Sequence, residues 1–168
     1  ETSYVSMAAQ FGRGEGISHW MGADSARHYQ WYPFVNLGHS YLAQSRNKEL
    51  SSEFQFLIQS DLRQLREKGK SNPFLFGIPL IWCSNNYVSA ALTQLRLYER
   101  LSGDSTYRDI EASLRDWLFG CNPWGTSMIV GLPRHGVSPK DPHSAFTHLY
   151  GYEVSGGLVD GPVRGSIY

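Results

Sequence analysis

Net charge is missing from this 168-residue chain: 15 Lys and Arg stand against 15 Asp and Glu. No basic stripe offers the phosphate-neutralising field on which nucleic-acid binding depends, so nucleic acid is excluded as a partner. Long apolar runs are missing too. None approaches the roughly 18–20 residues that a membrane span requires, and Glu1-Thr2-Ser3-Tyr4 has neither the basic start nor the apolar centre of a signal peptide. A soluble chain without a membrane span is the expectation. Cysteine is scarce: Cys83 and Cys121 are too few for a disulfide framework and lack metal-ligand spacing. They would pair only in an oxidising compartment, and two separate buried thiols are expected instead. Compact catalytic signatures are lacking as well. Gly12-Arg13-Gly14-Glu15-Gly16 looks briefly like a dinucleotide fingerprint, but residue 17 is Ile and no strand precedes it. No Walker loop, zinc-protease helix or nucleophile elbow occurs, and the six histidines do not recur four apart on one helix.

What is abundant is aromatic: 5 Trp, 10 Tyr and 8 Phe make 14% of the chain. Such rings fill cores and also stack on the C–H faces of pyranose rings, so the excess fits sugar binding without establishing it. With 41% hydrophobic residues there is enough apolar material for a core.

Periodicity divides the chain into three stretches. Residues 1 to about 30 show no sustained period and hold a glycine cluster, and they read as loop with at most short structure. From 31 to 120, four segments repeat apolar residues at helical spacing. The first carries Phe34, Leu37, Tyr41 and Leu42 behind Pro33 and stops near 45–47. The second carries Leu50, Phe54, Leu57, Ile58, Leu62 and Leu65 and stops at Gly69. The third carries Val88, Ala91, Leu92, Leu95 and Tyr98. The fourth opens at Asp104 or Ser105, both good N-caps, carries Tyr107, Ile110, Leu114, Trp117 and Leu118, and closes at Gly120. Short connections make antiparallel helical hairpins the economical arrangement. From Gly120 onward, nine glycines and prolines 123, 133, 139, 142 and 162 preclude regular helix, while Trp124, Met128, Ile129, Phe146 and Tyr150 favour an ordered loop.

Within that loop, Asp116-Trp117-Leu118-Phe119-Gly120-Cys121-Asn122-Pro123 runs into Ser127-Met128-Ile129-Val130-Gly131. This resembles the "Leu-Gly-x-Asn-Pro … Ser-Tyr-Val-x-Gly" stretch of family 9 glycoside hydrolases. Pro142-His143 resembles the start of that family's Pro-His-His-Arg loop, and Leu158-Val159-Asp160-Gly161-Pro162 resembles its Leu-Val-x-Gly-Pro turn. Three islands in order are more specific than any one alone. Upstream, Leu80-Ile81-Trp82 is similar to a Leu-Arg-Tyr segment that leads into a helix, and Trp31 falls where the family has a cleft tryptophan.

The resemblance implies an all-α fold, part of an (α/α)6 toroid of which this chain holds about four helices plus a long ordered loop. Residues 1–30 would be mostly loop, 31–120 helical hairpins, and 121–168 the lining of a cleft, all within one partial catalytic domain. It implies inverting hydrolysis of β-1,4-linked glucans such as cellulose, mixed-linkage glucan or xyloglucan, by an extracellular, periplasmic or cell-surface enzyme. His143 would bond sugar hydroxyls, and Trp31, Trp82 and Trp124 would line the substrate path. No cofactor is required, although some members bind structural calcium. The structural alternative for each tryptophan is a core ring, for His143 a loop residue bonding backbone, and for Asp160 a turn-former.

Two departures qualify the match. Ser144-Ala145 stand where the family pattern has His-Arg, removing a bidentate contact that an arginine makes to a sugar. Inverting hydrolysis also needs two carboxyl groups roughly 6.5–9.5 Å apart. Neither the family's Asp-x-x-Asp base motif nor the context of its acid is found here, so the chain is expected to be cut at both ends and inactive alone, with the missing parts of the domain as its partner. A non-catalytic helical carbohydrate-binding or scaffold protein, or another toroid carbohydrate enzyme such as a lyase or a glucosaminidase-type relative, is the alternative reading.

Overall fold

The computed structural model describes residues 2–15 and 33–165, which form six helices. They are α1 (Thr2–Glu15), α2 (Pro33–Ala43), α3 (Lys48–Gly69), α4 (Ser84–Ser102), α5 (Arg108–Leu118) and α6 (Ala145–Tyr150). No named strand occurs among the described residues; there are only isolated bridges of Ile129 with Leu132 and with Leu158. No helix among them is long and apolar enough to cross a membrane.

The amphipathic periods place the core. On α3, Leu50, Phe54, Ile58, Leu62 and Leu65 are buried, one stripe of the helix. Asn47 starts α3 by accepting the Glu49 and Leu50 amides at 3.0 and 3.2 Å, two of the donors a helix start leaves unpaired. Helix α2 packs on both α3 and α4, and α4 in turn on α5. The buried faces of α4 (Val88, Ala91, Leu95, Tyr98) and α5 (Ile110, Leu114, Trp117, Leu118) complete the core. Gly69 and Gly77 let two backbones touch: a Cβ on Gly69 would lie 2.4 Å from the Leu75 carbonyl oxygen, and one on Gly77 2.4 Å from that of Leu65.

Three expectations from the sequence are corrected. Within the N-terminal stretch read as loop, residues 2–15 form helix α1; residues 16–30 lie outside the described residues. Glycine in a helix costs about 1 kcal/mol relative to alanine, but Gly12 earns its place through close packing, since a Cβ there would come within 2.9 Å of both Leu42 and Phe54. Its carbonyl is bonded by His39 Nε2 at 3.0 Å, Ala9 is buried beneath, and Arg13 clasps Glu53 through contacts of 2.6 and 2.7 Å. Second, α5 opens at Arg108 and not at 104 or 105. The Asp104 carboxylate is taken up by Thr106 N and Oγ1 at 2.9 and 2.5 Å and by the Tyr98 hydroxyl at 3.0 Å. Those bonds, Thr106's foremost, hold its carboxyl below the usual range. Third, the glycine- and proline-rich region does hold a helix. Between Pro142 and Gly151 no glycine or proline interrupts the chain, and α6 forms there, with Ser144 Oγ accepting the Phe146 amide at 3.2 Å.

The rest of the C-terminal region is ordered by specific bonds. Buried Asn122 is its hub: Nδ2 donates to the Trp117 and Thr126 carbonyls at 2.9 and 2.7 Å, and Oδ1 accepts the Trp124 amide at 3.1 Å. The arm that follows is joined to α5 by Met128 N to Leu118 O at 2.8 Å, and Val159 N reaches Met128 O at 2.9 Å. Residues 128–130 and 156–159 thus pair as a short ribbon whose edge carries the chain onto α4.

Candidate functional site

The site grows from the first turn of α4. Residues 157–164 cross it as a strap: the Asn85 amide donates to Asp160 O at 3.0 Å, Asn85 Nδ2 to Val159 O at 2.9 Å, Ser84 Oγ to Pro162 O at 2.9 Å, and Arg164 N to Leu80 O at 2.9 Å. Ser84 and Asn85 are completely buried, so these bonds sit in a shielded environment. The turn is possible because Gly161 has φ +96 and no side chain, where a Cβ would meet Ser84 and Asn85.

The strap delivers the Asp160 carboxylate between two other groups. Its Oδ2 lies 3.6 Å from His143 Nδ1, an ion-pair distance longer than a hydrogen bond. Its Oδ1 accepts from Cys83 Sγ at 3.8 Å. Both partners occupy the left-handed region, Cys83 at φ 58 and His143 at φ 67; Leu75 is the third such non-glycine residue among those described. Histidine is tolerated there better than most residues, but such positions still cost of order 1–3 kcal/mol and cluster at functional sites. Asp141 holds the approach to α6 by accepting the Ser144 amide at 2.9 Å. Ser144, standing where the resembling pattern has a second histidine, therefore serves as the α6 cap.

Of the four residues singled out from sequence, His143 sits in this group with an 88% exposed side chain. Trp82 adjoins Cys83 in the chain and is half exposed, as a stacking platform must be. Trp124 is also half exposed, but its ring contact is edge-on to Trp117 at 5.8 Å. Trp31 lies outside the described residues. Sequence reasoning passed over two members. Asp160 was read as a turn-former, and the only signal for it was its place at the variable position of the Leu-Val-x-Gly-Pro turn. Cys83 was read as one of two buried thiols, whereas Cys83 is partly buried and Cys121 exposed, with no disulfide joining them.

Burial pushes the Cys83 thiol up, and the neighbouring Asp160 carboxylate pushes it further. A raised thiol pKa leaves less thiolate at neutral pH, and thiolate is the reactive form. Iodoacetamide at pH 7.5 should therefore alkylate Cys121 well before Cys83. Asp160→Asn, which removes the like charge, should accelerate Cys83 alone. Peptide mass spectrometry over time checks both, and equal rates at the two thiols would contradict this account of Cys83.

Chemically, the group offers an imidazole with one nitrogen beside a carboxylate, and the half-exposed indole of Trp82 is next in the chain to Cys83. That combination suits the hydroxyls and C–H faces of a sugar. Neither the comparison with curated proteins nor that with solved structures yields a match. The family model described as Glycosyl hydrolase family 9 matches residues 3–168, spanning α1, the helical core, the Asn122 hub and the strap that carries Asp160. A helical fold together with a family match of that extent leaves one conclusion: the chain belongs to glycosyl hydrolase family 9, a family of glycoside hydrolases.

Proposed function

We propose that the protein serves inverting hydrolysis of β-1,4-linked glucans, and that these 168 residues supply a substrate-binding wall while the catalytic carboxylates lie elsewhere in the domain. The observation that carries this reading is the exposed His143 held beside Asp160, with half-exposed Trp82 leading into the same helix turn. Trp124 extends the wall, and Trp31 belongs to it by its place in the sequence. The near acids support the division of labour: Asp141 is engaged with a backbone amide and Asp160 with Cys83 and His143.

Further helices of the same domain are the natural partner of this chain. Tyr4, Phe11 and Tyr41 are 76%, 69% and 71% exposed around a groove between α1 and α2, and apolar patches of this kind mark contact surfaces. No cofactor is needed for the chemistry, and a structural calcium ion is compatible with it. An extracellular, periplasmic or cell-surface location suits a polymeric glucan.

Isothermal titration of the chain with cellohexaose tests the reading. Binding is expected without release of reducing ends, and Trp82→Ala should weaken it by about 1–3 kcal/mol, on the scale of other aromatic stacking platforms. Hydrolysis by the isolated chain, or an affinity unchanged in Trp82→Ala, would overturn it.

A further inference from the structure

We infer that Asp160 is the positioning residue of His143: its carboxylate, 3.6 Å from Nδ1, favours the proton on that nitrogen and so leaves Nε2 to accept a hydrogen bond from a substrate hydroxyl. This deepens the glucan-binding reading and rests on it for the identity of the hydroxyl. A neutral imidazole donates through one nitrogen and accepts through the other, and the partner of the first decides which is which.

Four observations converge. The carboxylate is fixed at its root, because the carbonyls of Val159, Asp160 and Pro162 are all bonded by the buried pair Ser84–Asn85. Its oxygens face opposite neighbours, Oδ1 toward Cys83 and Oδ2 toward His143 at 3.6 Å. Cys83 and His143 are two of the three non-glycine residues with positive φ among the described residues, so Asp160 stands between two strained positions. The histidine loop is also seated on the strap by packing, since a Cβ on Gly157 would come within 2.8 Å of Pro142, the residue before His143. Asp160 therefore ties an exposed side chain to a rigid helix end. The 3.6 Å separation leaves room for the contact to tighten when ligand orders the imidazole, as site hydrogen bonds commonly do.

Nitrogen-15 NMR of the His143 ring in the 168-residue chain, above the pH at which it is protonated, reads the tautomer directly. The wild type should show protonated Nδ1 and bare Nε2. Asp160→Ala should shift the population toward the Nε2–H form that a free imidazole prefers, while Asp160→Asn, whose amide oxygen still accepts, should restore the wild-type pattern. Should Asp160→Ala fail to fold, Asp160→Ser keeps a turn-compatible side chain too short to reach the ring and should give the same shift. Cellohexaose affinity should fall roughly two- to fivefold in the Ala or Ser variant, the range of an exposed ion pair. An identical tautomer in wild type and in the Ala and Ser variants would overturn the assignment. If instead the tautomer follows residue 160 but cellohexaose leaves the His143 nitrogens of the wild type unmoved, the positioning role stands and the glucan reading falls.

Discussion

Replacing Trp117 by alanine should lower the stability of the chain by about 3–5 kcal/mol, the range for truncating a buried large aromatic. Trp117 is 2% exposed. Its ring stacks on Phe76 at 3.9 Å and meets Phe74 and Trp124 edge-on at 5.8 Å each, so it joins α5, the segment after α3 and the Asn122 turn in one cluster. Its carbonyl accepts the Asn122 side chain, but that bond is made by backbone and survives the substitution. The loss is therefore chiefly cavity and contact. For a chain of this length each kcal/mol moves Tm by roughly 2–4 °C, so differential scanning calorimetry should show a fall of roughly 6–20 °C. Trp117→Phe separates packing from polarity. The buried Nε1 has no hydrogen-bond partner, and an unpaired buried donor costs about 1–3 kcal/mol. Phenylalanine removes that donor while keeping most of the ring, and it should cost much less than alanine. Equal losses for the two variants would show that the indole is not held as described.

Gly161→Ala should be the most damaging single-methyl change in the strap. The added Cβ would lie 2.5 Å from Ser84 Oγ and 2.6 Å from Asn85 Cγ, at a φ of +96 that side chains rarely adopt. Strain of about 1–3 kcal/mol adds to overpacking of about 1–3 kcal/mol, and both obstacles are buried and cannot swing aside. Local release is the expected response, because the strap is held by a handful of bonds while the helical core is not touched. Hydrogen exchange should show lost protection at the amides of Asn85, Val159 and Arg164, which bond to or from the strap, with the α3 amides little changed. Gly156→Ala is the control: its φ is +84 but nothing lies within 4 Å of the new Cβ, so only the strain remains. Comparable exchange in the two variants would remove close packing from the explanation.

The two substitutions act on parts of the molecule that differ in how legible they are. Helices α3 and α4 could be drawn from the sequence because burial in a helix repeats every three to four residues, and Leu50, Phe54, Ile58, Leu62 and Leu65 keep that repeat through α3; α2 is also where the pattern put it, but its apolar Leu37 and Tyr41 are exposed while His39, Ser40 and Ala43 are buried. The start of α5 was misplaced for a local reason with a tertiary cause. Asp104 is a good cap by composition, but its carboxylate is taken up by Thr106 and by the Tyr98 hydroxyl of the preceding helix. Helix α1 was hidden because its glycines signal a break, and only Leu42 and Phe54, which come from two other helices, show why the absence of a side chain at Gly12 is useful.

The site divides along the same line. By its own pattern the sequence determined a helical stretch between residues 31 and 120, an Asn-Pro turn after it, and a loop carrying His143; the resemblance of three short islands pointed to the family that the match over residues 3–168 shows. It did not determine which residues stand beside His143. Cys83 and Asp160 are 77 residues apart and meet because the strap docks on buried Ser84 and Asn85, a juxtaposition set by long-range backbone bonds. Periodicity reports which face of an element is buried. Only the tertiary structure decides which two elements bring their exposed groups together, and that is where the partner of His143 was found.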